Sequence, residues 1–330
     1  MSIDLTLRLI EAVNATPAGS SVVVAIDSAD DVALVERWTD ATGNTILTVL
    51  PDGVEIVRGR IADPLMALPE DRRPGYRLWL YSNFNCNLAC DYCCVASSPR
   101  AAPREFTVDD TAALVREAAA AGVQEFFVTG GEPFMLLDLD ERLRLALDHF
   151  PTTVLTNGMV WQGERGRRLE ALPRDGLTLQ ISLDSATPEL HDRHRGAGSF
   201  GRAHDGIRRA RDLGFRVRVA ATLGADADDA EAGLAALFDE FDLPDEDRVV
   251  RRIARQGAAN AGLTVSRSSL VPEVCVSADG VWWHPVAATD PAMRVSSAWS
   301  PLADTIAAIS DEYREHRIRG DVLASTFPCA

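Results

Sequence analysis

The sequence contains no lysine; its 33 basic residues are all arginine. That absence excludes a phosphate-binding loop built on lysine and any Schiff-base chemistry, pyridoxal phosphate enzymes included. No cysteine precedes Cys86. The six present, Cys86, Cys90, Cys93, Cys94, Cys275 and Cys329, are too few and too clustered for a disulfide framework in 330 residues. Long apolar runs are missing too, since Val22 to Ile26 and Leu78 to Tyr81 fall far short of a bilayer's thickness. The amino terminus lacks a basic region followed by an apolar signal segment, so a cytoplasmic protein with no membrane partner is expected. Positive charge is outnumbered: the formal net charge of −16 repels phosphate backbones, and no nucleic-acid partner is expected. The most basic stretch, Arg248 to Arg255, alternates arginine with apolar residues, as a strand would.

What the chain does have is Asn83-Phe84-Asn85-Cys86-Asn87-Leu88-Ala89-Cys90-Asp91-Tyr92-Cys93-Cys94, a Cys-x3-Cys-x2-Cys loop after an apolar strand. Thiolates so spaced can converge on one soft metal centre, and three of them leave one corner of a cubane cluster open to a small molecule. Zinc sites usually bring four ligands in two close pairs, often with histidine, and no histidine lies between Cys93 and His149. Zinc is therefore the weaker reading. Three buried structural cysteines sit poorly with Asn85, Asn87 and Asp91 around them. Cys94, outside the spacing, reads as packing.

From about Tyr76 strands and helices alternate, which argues a parallel sheet with crossover helices. Strands are expected over Arg77 to Ser82, Gln124 to Val128, Thr153 to Leu155, Leu177 to Ser182, Arg216 to Ala221 and Val249 to Ile253. Six βα units make a partial (β/α)6 barrel whose reactive groups gather at the carboxyl ends of the strands. Thr107 to Asp110 reads as a capping box. Ahead of the barrel, residues 1–60 read as a small two-layer α/β module and 61–75 as a proline-rich linker. The barrel spans 76–257, and 258–330 form an extension.

With Tyr92 before its last cysteine, the Cys86, Cys90, Cys93 spacing resembles the radical S-adenosylmethionine (SAM) superfamily. The resemblance implies a [4Fe-4S] cluster held by those three cysteines. SAM would chelate the fourth iron, and a low-potential donor of flavodoxin or ferredoxin type would supply the electron. Thr129-Gly130-Gly131-Glu132-Pro133 is by itself a strand-to-helix turn, but one βα unit after the cysteines it looks like the family's GGE motif, which binds the methionine amino group of SAM. Asn157, after the third strand, and Ser182 and Asp184, after the fourth, resemble family positions near the ribose. Plain turn chemistry explains them about as well. Arg195 looks like the arginine that reaches the SAM carboxylate, a planar fork suited to that anion. His191 and His194 read as a solvated loop.

Cys275 to Pro285 resembles the SPASM/twitch hairpin, with Val286 where relatives carry a cysteine. Cys275 and Cys329 are too few for an auxiliary cubane, so a degenerate hairpin capping the barrel is expected. Cys275 is a candidate hydrogen-atom donor, although a buried structural thiol is the better reading. Trp282 and Trp283 fall on opposite faces of one strand, and one of them is expected at the barrel mouth. The amino-terminal module resembles the TusA/SirA sulfur carriers without their cysteine, which rules out a persulfide role for it. The substrate reading leans to a small metabolite. Alternatives are maturation of a ribosomally made peptide and a non-catalytic iron-sulfur sensing protein.

Overall fold

A computed structural model of the chain describes residues 3–17, 19–28, 30–59, 63–224 and 228–326. Cys329 lies outside them. The chain divides into two compact units: one takes residues up to Glu70 together with those from Tyr313 onward, the other Asp71–Glu312.

The first unit contains α1 (Ile3–Ala15), β1 (Ser21–Ala25), α2 (Asp30–Thr42), β2 (Thr45–Leu50) and β3 (Gly53–Val57). Its antiparallel sheet has the order β1-β3-β2. Leu5, Leu9 and Val13, at helical spacing along α1, meet Val24, Val54 and Ile56 of the sheet and Val35 of α2 in one core. Ile10, next to Leu9 in α1, is exposed. Gly43 ends α2 in the left-handed region at φ 69°, as a helix carboxyl terminus favours. Arg314 pairs with Asp63 through two contacts of 2.9 and 3.0 Å.

In the second unit six parallel strands follow in chain order: β4 (Arg77–Tyr81), β5 (Glu125–Thr129), β6 (Thr152–Thr156), β7 (Leu177–Ser182), β8 (Arg216–Leu223) and β9 (Arg248–Arg252). Helices α3 (Val108–Ala120), α4 (Leu139–Leu147), α5 (Gly163–Glu170), α6 (Pro188–Arg195), α7 (Ser199–Asp212) and α8 (Asp228–Glu240) make the crossovers. One face of the strands is apolar and packed, while the other carries polar residues as well as apolar ones. Leu78, Leu80, Phe126 and Val154 are fully buried, while alternate residues such as Trp79, Phe127 and Gln180 line a cavity of about 920 Å³ inside the curved sheet. The capping box forms: Thr107 Oγ1 accepts from the Asp110 amide at 3.0 Å, and the Asp110 carboxylate accepts in return.

Three short strands extend this sheet at its β4 edge: β10 (Cys275–Ser277), β11 (Gly280–Trp282) and β12 (Arg294–Ser296). The expected hairpin exists, but it extends the sheet instead of capping the barrel. Strand β10 runs parallel to β4, with Cys275 opposite Trp79. Because both faces of the extension are covered, Trp282 and Trp283 are both buried, and neither lines the cavity. The chain ends in α9 (Leu302–Thr326). Among the described residues no helix is long and apolar enough to cross a membrane.

Candidate active site

The cysteine loop leaves the carboxyl end of β4 and is pinned to the turn after β5. Gly131 N–H donates to Asn83 O at 3.0 Å, and Glu132 N–H to Asn85 O at 2.9 Å. A Cβ on Gly131 would lie 2.3 Å from Asn85 O, and one on Gly130 2.2 Å from Asn83 Oδ1. Both glycines are thus required by the loop itself, which crosses the turn at van der Waals contact.

Cys86, Cys90, Cys93, Gly130, Gly131, Asn157, Ser182 and Arg195 all line the cavity. Glu132 and Asp184 do not line it; they stand behind this surface and hold it. Glu132 is fully buried. Its carboxylate accepts from the Asn157 amide at 2.7 Å, the Thr156 hydroxyl at 2.8 Å and the Phe134 amide at 3.1 Å. Burial pushes it up to about 7 against those three donors. Asn157 Nδ2 then donates to Asn87 Oδ1 at 2.7 Å, tying the third strand end to the cysteine loop.

Asp184 anchors the opposite flank. Its Oδ2 accepts from Arg195 Nε at 2.5 Å and from the Tyr92 hydroxyl, and its Oδ1 from Arg195 Nη2 at 3.2 Å and the Thr222 amide at 3.0 Å. Burial alone would raise this carboxyl, but the Arg195 charge and these donors hold it below its ordinary value. Arg195 keeps its charge; Nε and Nη2 are engaged, and Nη1 makes no hydrogen bond among the described residues. Behind Asp184, His191 Nδ1 accepts from the Asp184 amide at 3.1 Å. His191 is fully buried, not solvated, and burial lowers its pKa to about 4. Its segment is helix α6, started by Pro188 at the first turn and ended by Gly196 at φ 107°. That proline was the available signal: three residues further on, a side chain returns to the covered face. His194 does lie at the surface, where Nδ1 meets Asp91 at 2.9 Å.

Cys86 Sγ accepts from the Leu88 amide at 3.4 Å, and Cys93 Sγ from the Ser97 amide at 3.3 Å. Burial pushes the Cys86 thiol up to about 12 and the Cys90 thiol up to about 11. Thiols gathered on one cavity wall become thiolates when metal repays the cost of charging them. Among the described residues no three ligands converge on a single-ion geometry. Thiolates that bind separate irons of a cubane do not need to, and the donor set fits such a cluster. Cys275 is apart from this constellation. It is fully buried among Trp79, Tyr81, Phe127 and Trp282, does not line the cavity, and burial raises its pKa well above the ordinary range. That is the setting of a packing thiol.

The Radical SAM superfamily profile matches residues 81–233, from the end of β4 into α8. Those residues are a radical SAM domain. The cofactors characteristic of that superfamily are a [4Fe-4S] cluster and SAM. Over 145 residues the chain is 31% identical to an AdoMet-dependent heme synthase of Nitratidesulfovibrio vulgaris, covering 43% of this chain and 39% of that protein. Over 120 residues it is 38% identical to a PqqA peptide cyclase of Ruegeria pomeroyi, covering 36% and 31%. The chain thus spans about two fifths or less of these relatives. The solved structure of anSMEcpe with bound AdoMet superposes with a TM-score of 0.56 at 12% identity, over 72% of this chain and 82% of that one. The fold of that chain is therefore shared well beyond the matched residues.

Proposed function

We propose that this chain is a radical SAM enzyme that acts on a peptide. The carrying observation is one wall of one cavity: Cys86, Cys90, Cys93, the Gly130-Gly131 turn and Arg195 line it, with Glu132 and Asp184 buried behind. When bound, a [4Fe-4S] cluster and SAM supply reductive cleavage to methionine and a 5'-deoxyadenosyl radical, which takes a hydrogen atom from the substrate. Cys86, Cys90 and Cys93 hold the cluster. The Gly130 and Gly131 backbone, Asn157 and Ser182 face the SAM moiety, and Arg195 Nη1 is the free donor for its carboxylate. An electron donor of flavodoxin or ferredoxin type completes the system.

The sequence alone favoured a small metabolite. The likeness to a PqqA peptide cyclase, the higher of the two identities, supports a peptide instead, and the likeness to a heme synthase keeps a metabolite as second reading. Anaerobic reconstitution with iron and sulfide, then SAM and dithionite, tests the radical chemistry. About four iron per chain and 5'-deoxyadenosine, both lost in Cys90→Ala, is the expected result. Four iron without cleavage, with or without peptide, would overturn it. A precursor peptide encoded beside the gene separates the two substrate readings.

A further inference from the structure

Inside the cavity, below the level of the cysteines, polar groups remain without a hydrogen-bond partner in the described protein. Gln180 of β7 lines the cavity, is 5% exposed, and its side-chain amide makes no hydrogen bond among the described residues. Directly opposite it in the register of β7 and β8 stands Arg218, which lines the cavity too. The Arg218 Nε is buried without a hydrogen-bond partner. Its nearest carboxylate, Asp247, is 3.7 Å away and already taken by Arg216, whose Nε and Nη2 contact both oxygens at 2.9 to 3.1 Å. Two guanidinium groups therefore share one carboxylate. The cavity's other acidic residues offer no relief, since Glu125 pairs with Arg77 and Glu273 with Arg72. Buried donors left unpaired are costly, and in a cavity they mark where a ligand's acceptors belong.

We propose that Arg218 and Gln180 form an anion-binding subsite for the substrate, and that the group inserted into the barrel carries a carboxylate. This rests on the peptide reading above, in which the carboxylate is an Asp or Glu side chain. A guanidinium N–H and an amide N–H from adjacent strands suit the two oxygens of one carboxylate. The position, two residues inward of Ser182 on β7, anchors that group deeper than the SAM-facing rim. The whole chain is strongly acidic, so this positive site is local and selects at short range.

The test uses the reconstituted, SAM-loaded full chain and two fluorescent peptide pools, identical except that Asp and Glu in one are Asn and Gln in the other. Wild type is expected to bind the acidic pool at least about ten-fold more tightly. In Arg218→Gln that preference falls to within about two-fold, the level left once the charged partner is gone. Gln180→Glu tests the same site by filling it, because the new carboxylate pairs with Arg218 internally; it too should lose the preference. Equal binding of both pools by wild type, or a preference surviving both substitutions, overturns the subsite. Calorimetric titration with succinate and with inorganic phosphate reads the anion site without any peptide. If neither pool binds but succinate binds wild type about ten-fold better than Gln180→Glu, the subsite stands and the peptide reading fails. If only phosphate shows the difference, the carboxylate assignment is overturned. No difference for either anion overturns the site.

Discussion

The two flanks of the cysteine loop solve one problem in opposite ways. On the β5–β6 side the buried carboxylate, Glu132, is met by three neutral donors and no cation in hydrogen-bonding contact, and burial lifts it to about 7. On the β7–β8 side Asp184 is locked to Arg195 and held below its ordinary value. Both reach the same loop, the first through Asn157 and Asn87, the second through Tyr92. Neutral donors position a strand end without fixing its charge, whereas an ion pair does both and makes the loss of either partner expensive.

The largest break in this comparison is Asp184→Ala, which leaves Arg195 buried and unpaired. A loss of about 3–5 kcal/mol in chemical denaturation is expected, and a loss under about 1 would show that water reaches the guanidinium. Next comes pH. Between the ordinary carboxyl value of 4.5 and about 7 the folded chain keeps a proton on Glu132 that the unfolded chain has released. Stability from this group is therefore fully present at low pH and falls as pH rises through that window, by a total of about 3 kcal/mol. Glu132→Gln cannot titrate, so denaturation of both proteins from pH 4.5 to 8 should give a difference that changes across the window and then levels. A constant difference would place the Glu132 pKa at its ordinary value. Thr156→Val, which removes one neutral donor, should cost about 1–3 kcal/mol at pH 8 and less at pH 4.5, where the carboxyl is protonated. Smallest is His194→Gln on the surface, where the contact with Asp91 is solvent-screened; a change within about 1 kcal/mol is expected.

Much of the scaffold was legible because its signals are local. Apolar strand runs, the Thr107 capping box and the Cys-x3-Cys-x2-Cys spacing each sit within a dozen residues, and the six strands fall close to where they were expected. What escaped depends on residues distant in sequence. Glu132 and Asp184 read as ligand-facing because they follow glycines or end strands, yet Thr156, Thr222 and Tyr92, 24 to 92 residues away, turn them into supports. His191 looked solvated in a charged run, and only its contact with the Asp184 amide explains its burial. The positions of Trp282, Trp283 and Cys275 follow from a strand pairing that no short window reveals. Gln180 and Arg218, ordinary within their strands, become notable only when β7 and β8 are laid side by side.

That pairing of β10 with β4 also bears on how the chain can be cut. Strand β4 holds the cysteine loop at one end, and its second neighbour arrives nearly two hundred residues later, when the Trp79 amide finds Val274 O. Until then one margin of the catalytic sheet is a bare row of amides and carbonyls flanked by aromatic side chains, the profile of a surface that recruits foreign strands. The segment that defines the radical SAM domain by sequence is thus not a self-sufficient body. A fragment ending near residue 257 would carry Cys86, Cys90 and Cys93 and still present an adhesive seam, so on the ribosome this chain must wait for its tail before strand β4 is sealed.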